Sequence, residues 1–406
     1  MIFLIYVPLS KIYYKDAASH KAIYRDRLYN AASFRFDFFI KQFNRRTEFP
    51  AFFLFNEELQ NLIDCIYSLH SRLRLLLDDV PHMVLQQFAR FGIIEEIQST
   101  NDIEGVQSTR RELRDVLENS SHSPRFKSII NSYNRLVYGD IIDFQTVADI
   151  RDFYERFTYD EVLAASSSNR LDGVAFRAAS VDITTSAGKT VHRGVYPETE
   201  IIRFMETALR LLHDRRLPLL VRLAVFHYLF AYIHPFYDGN GRTGRFIVSY
   251  FLSRDFHYIV ALRLSVIIKR YRKKYYELFK LTDAAINCGD LTPFIIGFNE
   301  LVALAFSDVI DILSRKLRQL DKLEKRLLPI APDDALYHRI YILLLQASSF
   351  YGYGLTLREL AALLDKSPDT VRRRLRFMPA QHLTVIKSKP YRYKLNANIL
   401  KNISTT

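Results

Sequence analysis

The sequence predicts a mainly α-helical protein with one small β-hairpin, and three observations support this fold class. The chain has 406 residues but only 13 Gly and 13 Pro, too few turn-forming residues for a many-stranded β fold. Apolar residues recur with helical spacing over long stretches, for example residues 57–77. Apolar residues make up 49% of the chain and charged residues 25%, the balance of a folded rather than a disordered protein.

Breaks in the pattern divide this long chain into three predicted parts. Residues 1–124 form a helical N-terminal region that ends in a polar stretch. Residues 125–328 form the predicted core and contain the hairpin candidate, residues 168–197, where turn residues flank short extended runs. Two prolines and two acidic residues then end the last long helix, so residues 335–406 are predicted to form a separate C-terminal domain.

Several classes of protein are excluded by simple features of the sequence. Cys65 and Cys288 are the only cysteines and lie far apart, which supports neither a disulfide framework nor a zinc site. The apolar start of the chain is too short for a secretory signal. The most apolar stretch, residues 217–233, falls short of the ~20 residues needed to cross a bilayer. We therefore expect a cytoplasmic protein without a membrane partner.

The net charge of +13 is concentrated at the C-terminal end. From residue 337 onward twelve Lys and Arg stand against three acids, which leaves +9. Thr356 and Glu359 form a capping box, and Ser367-Pro368 opens a second helix that carries four arginines. Two short strands follow, so the domain is predicted to be a winged helix-turn-helix. Its basic helix suits DNA, while protein contacts or dimerisation remain the alternative.

The segment that carries chemistry is residues 234–245, His-Pro-Phe-Tyr-Asp-Gly-Asn-Gly-Arg-Thr-Gly-Arg. Glycines in a loop that opens a helix let backbone N–H groups approach a phosphate, and the helix N-terminus adds partial positive charge. Arg242 and Arg245 lie about one turn apart and suit phosphate oxygens, and Asp238 suits Mg²⁺. His234 is a group that takes a proton near neutral pH. Together they fit transfer of a phosphorus group to an alcohol.

This segment resembles the signature of the Fic family: His-Pro-Phe, any residue, Asp or Glu, Gly-Asn-Gly-Arg, any two residues and Arg. The resemblance implies a Fic-type helical core that transfers AMP from ATP, with Mg²⁺, to a Ser, Thr or Tyr hydroxyl of a protein. It implies His234 as the catalytic base and Asp238 as the metal ligand. The expected nucleotide-binding residues of the loop and helix are Gly239, Asn240, Gly241, Arg242, Thr243, Gly244 and Arg245.

Two further segments extend the resemblance to the nucleotide. The hairpin candidate resembles the Fic flap, in which an added strand clamps the target. Residues 272–276 resemble an element whose tyrosines help to form the base pocket. The sequence departs from that element at Tyr271, Phe279 and Asp283. The residues expected to contact nucleotide from these segments are Thr190, Val191, His192, Arg193, Tyr275 and Tyr276.

A third segment, Thr100 to Gly105, resembles the inhibitory pattern of Fic proteins that carry their inhibitor before the core. It implies an inhibitory helix near residues 100–115. Glu104 would pair with Arg245 and occupy the guanidinium that otherwise holds a phosphate.

The resemblance predicts a protein adenylyltransferase that is autoinhibited by Glu104. Its expected partners are a target protein, the chain itself as a substrate, and a second copy in a homodimer. One alternative is a Fic core that uses another nucleotide or a phosphocholine-containing donor, or that removes AMP. The other is a DNA-binding transcriptional regulator whose core senses nucleotide.

Overall fold

The computed structural model describes residues 6–118, 125–184, 188–331, 333–350, 354–387 and 390–399. Helices account for 67% of the chain and the sheets are small, as the sequence predicts. The helices are Leu9–Lys15 (α1), Ala17–Leu28 (α2), Glu57–Asp78 (α3), His82–Glu104 (α4), Arg110–Leu117 (α5), Lys127–Tyr138 (α6), Val147–Tyr154 (α7), Asp160–Ala165 (α8), Glu198–His213 (α9), Leu219–Ile233 (α10), Asn240–Asp255 (α11), Tyr258–Ala261 (α12), Leu264–Arg270 (α13), Arg272–Asp283 (α14), Thr292–Leu327 (α15), Ala335–Phe350 (α16), Leu357–Leu364 (α17) and Pro368–Phe377 (α18).

Three antiparallel sheets accompany the helices in the described residues. A π-helical turn, Glu155–Tyr159, joins α7 to α8. Short 3₁₀ turns occur at Ser167–Asn169, Ala285–Asn287 and Leu328–Ile330. The strands are Ser33–Lys41 (β1), Glu48–Leu54 (β2), Asp182–Thr184 (β3), Thr190–Arg193 (β4), Leu355–Thr356 (β5), Leu383–Ile386 (β6) and Arg392–Leu395 (β7).

The chain divides into two compact units. The first comprises residues 1–71 and 93–307, and the second comprises residues 72–92 and 308–406. In the first unit, α10 is buried along nearly its whole length. Its backbone is contacted by Asn299 of α15, whose Nδ2 donates to the carbonyl of Leu220 at 3.3 Å. This buried helix carries His234 at its C-terminal end.

The N-terminal region is not purely helical, because β1 and β2 form a hairpin that the sequence analysis did not predict. The two strands pair in antiparallel register from Ser33 with Leu54 to Lys41 with Glu48. Side chains of β1 alternate between buried and exposed from Phe36 onward, with Phe36, Phe38 and Ile40 inside. This period of two is the signature of a half-buried strand, and aromatic residues favour it.

The predicted flap hairpin is present as β3 and β4. Asp182 pairs with Arg193 and Ile183 with His192, and a bulge precedes the pairing of Thr184 with Thr190. Residues 185–187 of the turn lie outside the described residues.

The predicted inhibitory helix near residues 100–115 is wrong in its bounds, because a break separates two helices there. Helix α4 ends at Glu104, and α5 begins only at Arg110. Gly105 adopts the left-handed conformation with φ of 77°, and Val106 N–H donates to the carbonyl of Asn101 at 2.9 Å. This pattern is a Schellman motif, which ends a helix at a glycine.

In the second unit, α16 to α18 pack with a three-stranded sheet of order β5-β7-β6. The predicted capping box at Thr356 and Glu359 is present, and Ser367 caps α18 with Pro368 in its first turn. Lys389 and Lys401, which contribute to the predicted basic charge, lie outside the described residues. One described helix, α15, is long and apolar enough to cross a membrane by composition, but 72% of its apolar stretch is buried within the protein.

Helix α4 carries a buried carboxyl group that holds it against the start of α13. Both oxygens of Glu96 accept from the backbone N–H of Ser265, at 3.0 and 2.9 Å. Burial raises the pKa of Glu96 to about 7, although these hydrogen bonds and the charge of Arg245 act in the opposite direction.

This pKa predicts how stability depends on pH. Because the folded protein holds the Glu96 proton more tightly than the unfolded chain, its free energy of unfolding should fall as pH rises from about 4.5 to 7. The free energy of unfolding should fall by on the order of 3 kcal/mol over this range in the wild type, and Glu96→Gln should not show this fall. Urea unfolding at pH 5 and pH 8 measures it, with Glu112→Gln on α5 as the control. Equal pH dependence in wild type and Glu96→Gln would contradict the assignment.

Candidate active site

The site is built around the turn at His234, which ends α10. His234 has φ of 52° and ψ of 61°, a left-handed conformation. Pro235 follows it, and a residue before proline is disfavoured in the right-handed helix. The His-Pro pair therefore stops α10 and directs the chain into the short loop that leads to α11.

The loop between α10 and α11 is fixed from inside by Asn240. Its side-chain Oδ1 accepts from Phe236 N–H at 2.9 Å, and its Nδ2 donates to the Phe236 carbonyl at 2.7 Å. The Phe236 ring stacks on Tyr154 at 3.6 Å between centroids. Gly239 is left-handed with φ of 80°, and a β-carbon there would press on Thr158 at 2.9 Å. The predicted anion-binding residue Asn240 thus uses its side chain to hold the loop.

The N-terminus of α11 presents backbone donors. Since α11 begins at Asn240, the N–H groups of Asn240, Gly241 and Arg242 belong to a first turn and lack intrahelical acceptors.

Thr243 and Gly244 follow this first turn and contact the protein interior. The Thr243 hydroxyl donates to the Gly239 carbonyl, and Gly244 packs against Phe230. Both are structural in this arrangement.

Asp238 is the acidic residue of the loop. Its Oδ1 accepts from Gly239 N–H at 2.5 Å, and its carbonyl accepts from the Tyr154 hydroxyl at 3.0 Å. Among the described residues no group of three or more His, Cys, Asp or Glu side chains could hold a metal ion. A single carboxylate still suits Mg²⁺, which retains waters and takes substrate phosphates as its other ligands.

Glu104 and Arg245 form an ion pair at the glycine loop. Arg245 Nη1 lies 2.7 Å from Glu104 Oε1, and its Nε and Nη2 donate to the Thr100 hydroxyl and carbonyl. A β-carbon on Gly241 would overlap Glu104 Oε1, so the carboxylate lies directly against the loop. Burial lowers the pKa of Arg245, but the charge and hydrogen bond of Glu104, together with Tyr275 and Tyr276, raise that pKa overall.

Arg242 has a partner that the sequence analysis missed. Its Nη1 lies 3.0 Å from Oε2 of Glu161 on α8, and Arg242 is buried. Glu161 also accepts from Phe126 N–H at 3.1 Å. No local signal predicts this pair, because the two residues are 81 positions apart.

The flap strand β4 has one buried side chain, His192. Its Nε2 lies 2.8 Å from the Tyr232 carbonyl, and its Nδ1 lies 3.2 Å from Asp283 Oδ2. Burial lowers the pKa of His192, but Asp283 and the Tyr232 carbonyl raise it overall.

The other residues of β4 are less buried. Thr190 is half-buried, Val191 is exposed, and Arg193 forms a bidentate pair with Asp182 of β3. Arg193 thus stabilises the hairpin.

The two predicted base-pocket tyrosines of α14 have different positions. Tyr275 is buried, and its hydroxyl bonds His227 Nε2 at 2.8 Å. Tyr276 is exposed, and its hydroxyl donates to the Ile103 carbonyl at 3.3 Å. Only Tyr276 of the pair therefore lies at the surface beside α4.

Asp283 accepts from the Tyr228 hydroxyl at 2.7 Å in addition to its contact with His192.

Arg177, another residue that was not predicted from the sequence, is fully buried behind the His234 turn. Its Nε donates to the His234 carbonyl at 2.8 Å. It lies in an irregular segment before β3, where nothing in the residue pattern distinguishes it from a surface arginine.

His234 is electrically neutral near pH 7. Burial lowers its pKa to about 3, and the nearby His192 and Arg177 act in the same direction. The site thus combines an unprotonated imidazole, a helix N-terminus opened by glycines, one carboxylate and a buried guanidinium. This set suits proton removal from a hydroxyl next to a bound phosphate.

Comparisons with known proteins match the part of the chain that carries this site. The Fic/DOC family profile matches residues 144–252. The protein adenylyltransferases Fic of Drosophila virilis and Drosophila melanogaster are each 42% identical to this chain over 72 residues. That stretch spans 18% of this chain and 13% of each relative, so the similarity is limited to one part of both proteins.

A solved structure extends the similarity at the level of the fold. A Fic family protein from Desulfovibrio desulfuricans G20 superposes with a TM-score of 0.52 at 20% identity, covering 84% of this chain and 97% of that one. The matching profile, the relatives and the shared fold lead to one conclusion: this chain contains a Fic domain.

Proposed function

We propose that the chain transfers AMP from ATP to a hydroxyl group of a protein, and that Glu104 keeps this activity low. The observation that carries the proposal is the six-residue turn, residues 234–239, that joins a neutral imidazole to a glycine-opened helix N-terminus. The name of the Drosophila relatives, protein adenylyltransferase, favours ATP as the donor.

In the proposed reaction, the acceptor hydroxyl oxygen attacks the α-phosphorus of ATP. Its proton passes to the imidazole of His234, the bond from the α-phosphorus to the bridging oxygen breaks, and pyrophosphate leaves with the electron pair. The first-turn N–H groups of α11 would hold phosphate oxygens. A pKa of about 3 makes His234 a weak base, but bound phosphates would raise that pKa because they stabilise the imidazolium.

Asp238 would hold Mg²⁺ through its carboxylate, together with the phosphates. When bound, the ion neutralises negative charge on the polyphosphate.

The inhibition rests on competition for Arg245. This guanidinium is buried and its three nitrogens are all engaged by Glu104 and Thr100. A phosphate needs the same donors and the same space against Gly241. The carboxylate of Glu104 therefore opposes productive binding of ATP both by charge and by volume.

Removing this carboxylate is the first test. Glu104→Gly should increase self-modification about tenfold or more, since an ion pair worth ~1.4 kcal/mol already lowers affinity tenfold. Intact-mass spectrometry with ATP and Mg²⁺ measures added AMP, and host lysate supplies targets. The matched control is Glu112→Gly on helix α5, which breaks the exposed ion pair between Glu112 and Arg125. A rate equal to wild type would contradict the inhibitory role of Glu104.

The same assay distinguishes the alternative reactions. If an adduct forms from another nucleotide or from a phosphocholine donor, but not from ATP, that compound is the donor and ATP is not. Release of AMP from previously modified protein would favour the reverse reaction.

The second test concerns the base. In the Glu104→Gly background, His234→Ala should lower AMP transfer by about 10²-fold to 10⁴-fold, the usual contribution of a general base. Binding of ATP, measured by calorimetry, should persist. His213→Ala is the control, because that imidazole bonds the Phe144 carbonyl outside the site. Transfer within twofold of the parent would refute the role of His234.

A second candidate function, DNA binding, is favoured by the outer face of α18. Arg372, Arg373, Arg376 and Phe377 are exposed, Phe377 to 80%, and share one side of this helix. Arg374, expected to contact DNA with them, instead pairs with Asp334 at 3.2 Å and covers the Tyr337 ring. Arg372 also pairs with Asp369 on the same helix, so Arg373 and Arg376 are left available to phosphates or base edges.

Substitution of Arg373→Glu together with Arg376→Glu should weaken binding to a DNA duplex and reduce the slope of log affinity against log salt by about 2. The control is Arg315→Glu with Lys322→Glu on α15, which changes the net charge equally. Fluorescence anisotropy at several salt concentrations measures both. Equal losses in the two double variants would argue against α18 as the DNA-binding surface.

A further inference from the structure

Arg177 differs from the other buried arginines of the site in its partners. Arg242 and Arg245 each pair with a carboxylate, whereas the hydrogen bonds of the Arg177 side chain all go to backbone carbonyls. It donates to His234 at 2.8 Å, Ala179 at 2.6 Å, Val195 at 2.8 Å and Ile233 at 3.3 Å. A buried cation whose described hydrogen-bond acceptors are carbonyls is costly to desolvate, and burial lowers the pKa of Arg177 to about 10, although Tyr237 and Asp172 act in the opposite direction.

These carbonyls belong to three separate segments. Ala179 lies before flap strand β3, Val195 follows flap strand β4, and Ile233 and His234 form the end of α10. Backbone hydrogen bonds link the same segments, because Val195 N–H donates to the Ile233 carbonyl at 3.0 Å and Gly194 N–H donates to the Val181 carbonyl at 3.0 Å. One guanidinium therefore joins both ends of the flap to the turn that carries His234.

The turn needs such support. A left-handed residue other than glycine costs roughly 1 kcal/mol or more, and the last carbonyls of a helix lack intrahelical donors. Arg177 supplies donors to two of them, at Ile233 and His234. A β-carbon on Gly194 would overlap Arg177 Nη2, so the flap backbone packs directly on the guanidinium.

We propose that Arg177 is a positioning residue, which holds the imidazole of His234 and the base of the flap in one fixed arrangement. Its predicted effect on rate rests on the proposed AMP transfer, while its effect on the turn does not. A displacement of about 1 Å can cost 10²-fold in rate, so loss of Arg177 should act on kcat more than on the KM for ATP.

The test uses the full chain with Glu104→Gly as parent. Arg177→Lys keeps the positive charge but loses the planar set of guanidinium N–H donors, and it should lower kcat about 10²-fold with little change in KM. Arg177→Ala should lower kcat by a similar factor. Added guanidinium ion should restore part of this kcat, whereas ammonium at equal ionic strength should not. Arg222→Lys is the control, since Arg222 also donates to a carbonyl, that of Leu212, away from the site.

A second measurement does not depend on transfer activity. NMR titration of His234 should show a higher pKa in Arg177→Ala than in the parent, because a nearby positive charge is lost, and a smaller change in Arg177→Lys. If the parent transfers no AMP, the proposed function fails while the titration still tests Arg177.

The proposal is overturned if Arg177→Ala keeps kcat within twofold of the parent, or if the His234 titration is unchanged. Should Arg177→Ala fail to fold, Gly194→Ala replaces it, since the added methyl group displaces the guanidinium without removing it. In Gly194→Ala, a kcat and a His234 titration equal to the parent's would likewise overturn the proposal.

Discussion

The structure of the site depends on a sharp turn between two buried helices. Helix α10 ends at Ile233 and α11 begins at Asn240, so only six residues connect the two helices within the protein. Backbone N–H and C=O groups buried in such a turn need partners. Asn240 supplies them on one side and Arg177 on the other. Every proposed role of the loop follows from the geometry that these two side chains maintain.

Helix α4 is held at the site by hydrogen bonds as well as by the ion pair between Glu104 and Arg245. Arg272 Nη2 donates to the Ile103 carbonyl at 2.9 Å, beside the Tyr276 hydroxyl. A positive side chain at the C-terminus of a helix is favourable because the carbonyls there carry partial negative charge. The end of α4 is thus bound by the same helix, α14, that the sequence analysis assigned to the base pocket. Release of α4 would free Arg245, Arg272 and Tyr276 together.

The sequence predicted the parts of the site whose residues are neighbours in the chain. Residues 234–245 contain the helix end, the loop and the next helix in one continuous pattern, so their chemistry and their fold could be inferred together. The Glu104 contact was predicted by resemblance, and the observed 2.7 Å pair with Arg245 has the partners expected. The bounds of its helix were not, because the role of Gly105 as a helix stop was overlooked.

Contacts between distant segments could not be predicted in this way. Arg242 was assigned to phosphate from its spacing and from the Fic resemblance, and neither of these predicts its ion pair with Glu161. Arg177 owes its role to carbonyls of three segments, which no local pattern encodes. The β1–β2 hairpin is a different case, since the alternation of Phe36, Phe38 and Ile40 was visible and the longer helical patterns around it dominated the interpretation.

The space above Gly241 has to accept the Glu104 carboxylate in this structure and, on the proposed function, a phosphate oxygen when the enzyme works. A side chain at this position would overlap the carboxylate and would exclude a phosphate oxygen from the same space. On the proposed function, a side chain at Gly241 would therefore oppose inhibition and phosphate binding together. A substitution on α4, which carries Glu104, could change the inhibition without filling the space for phosphate.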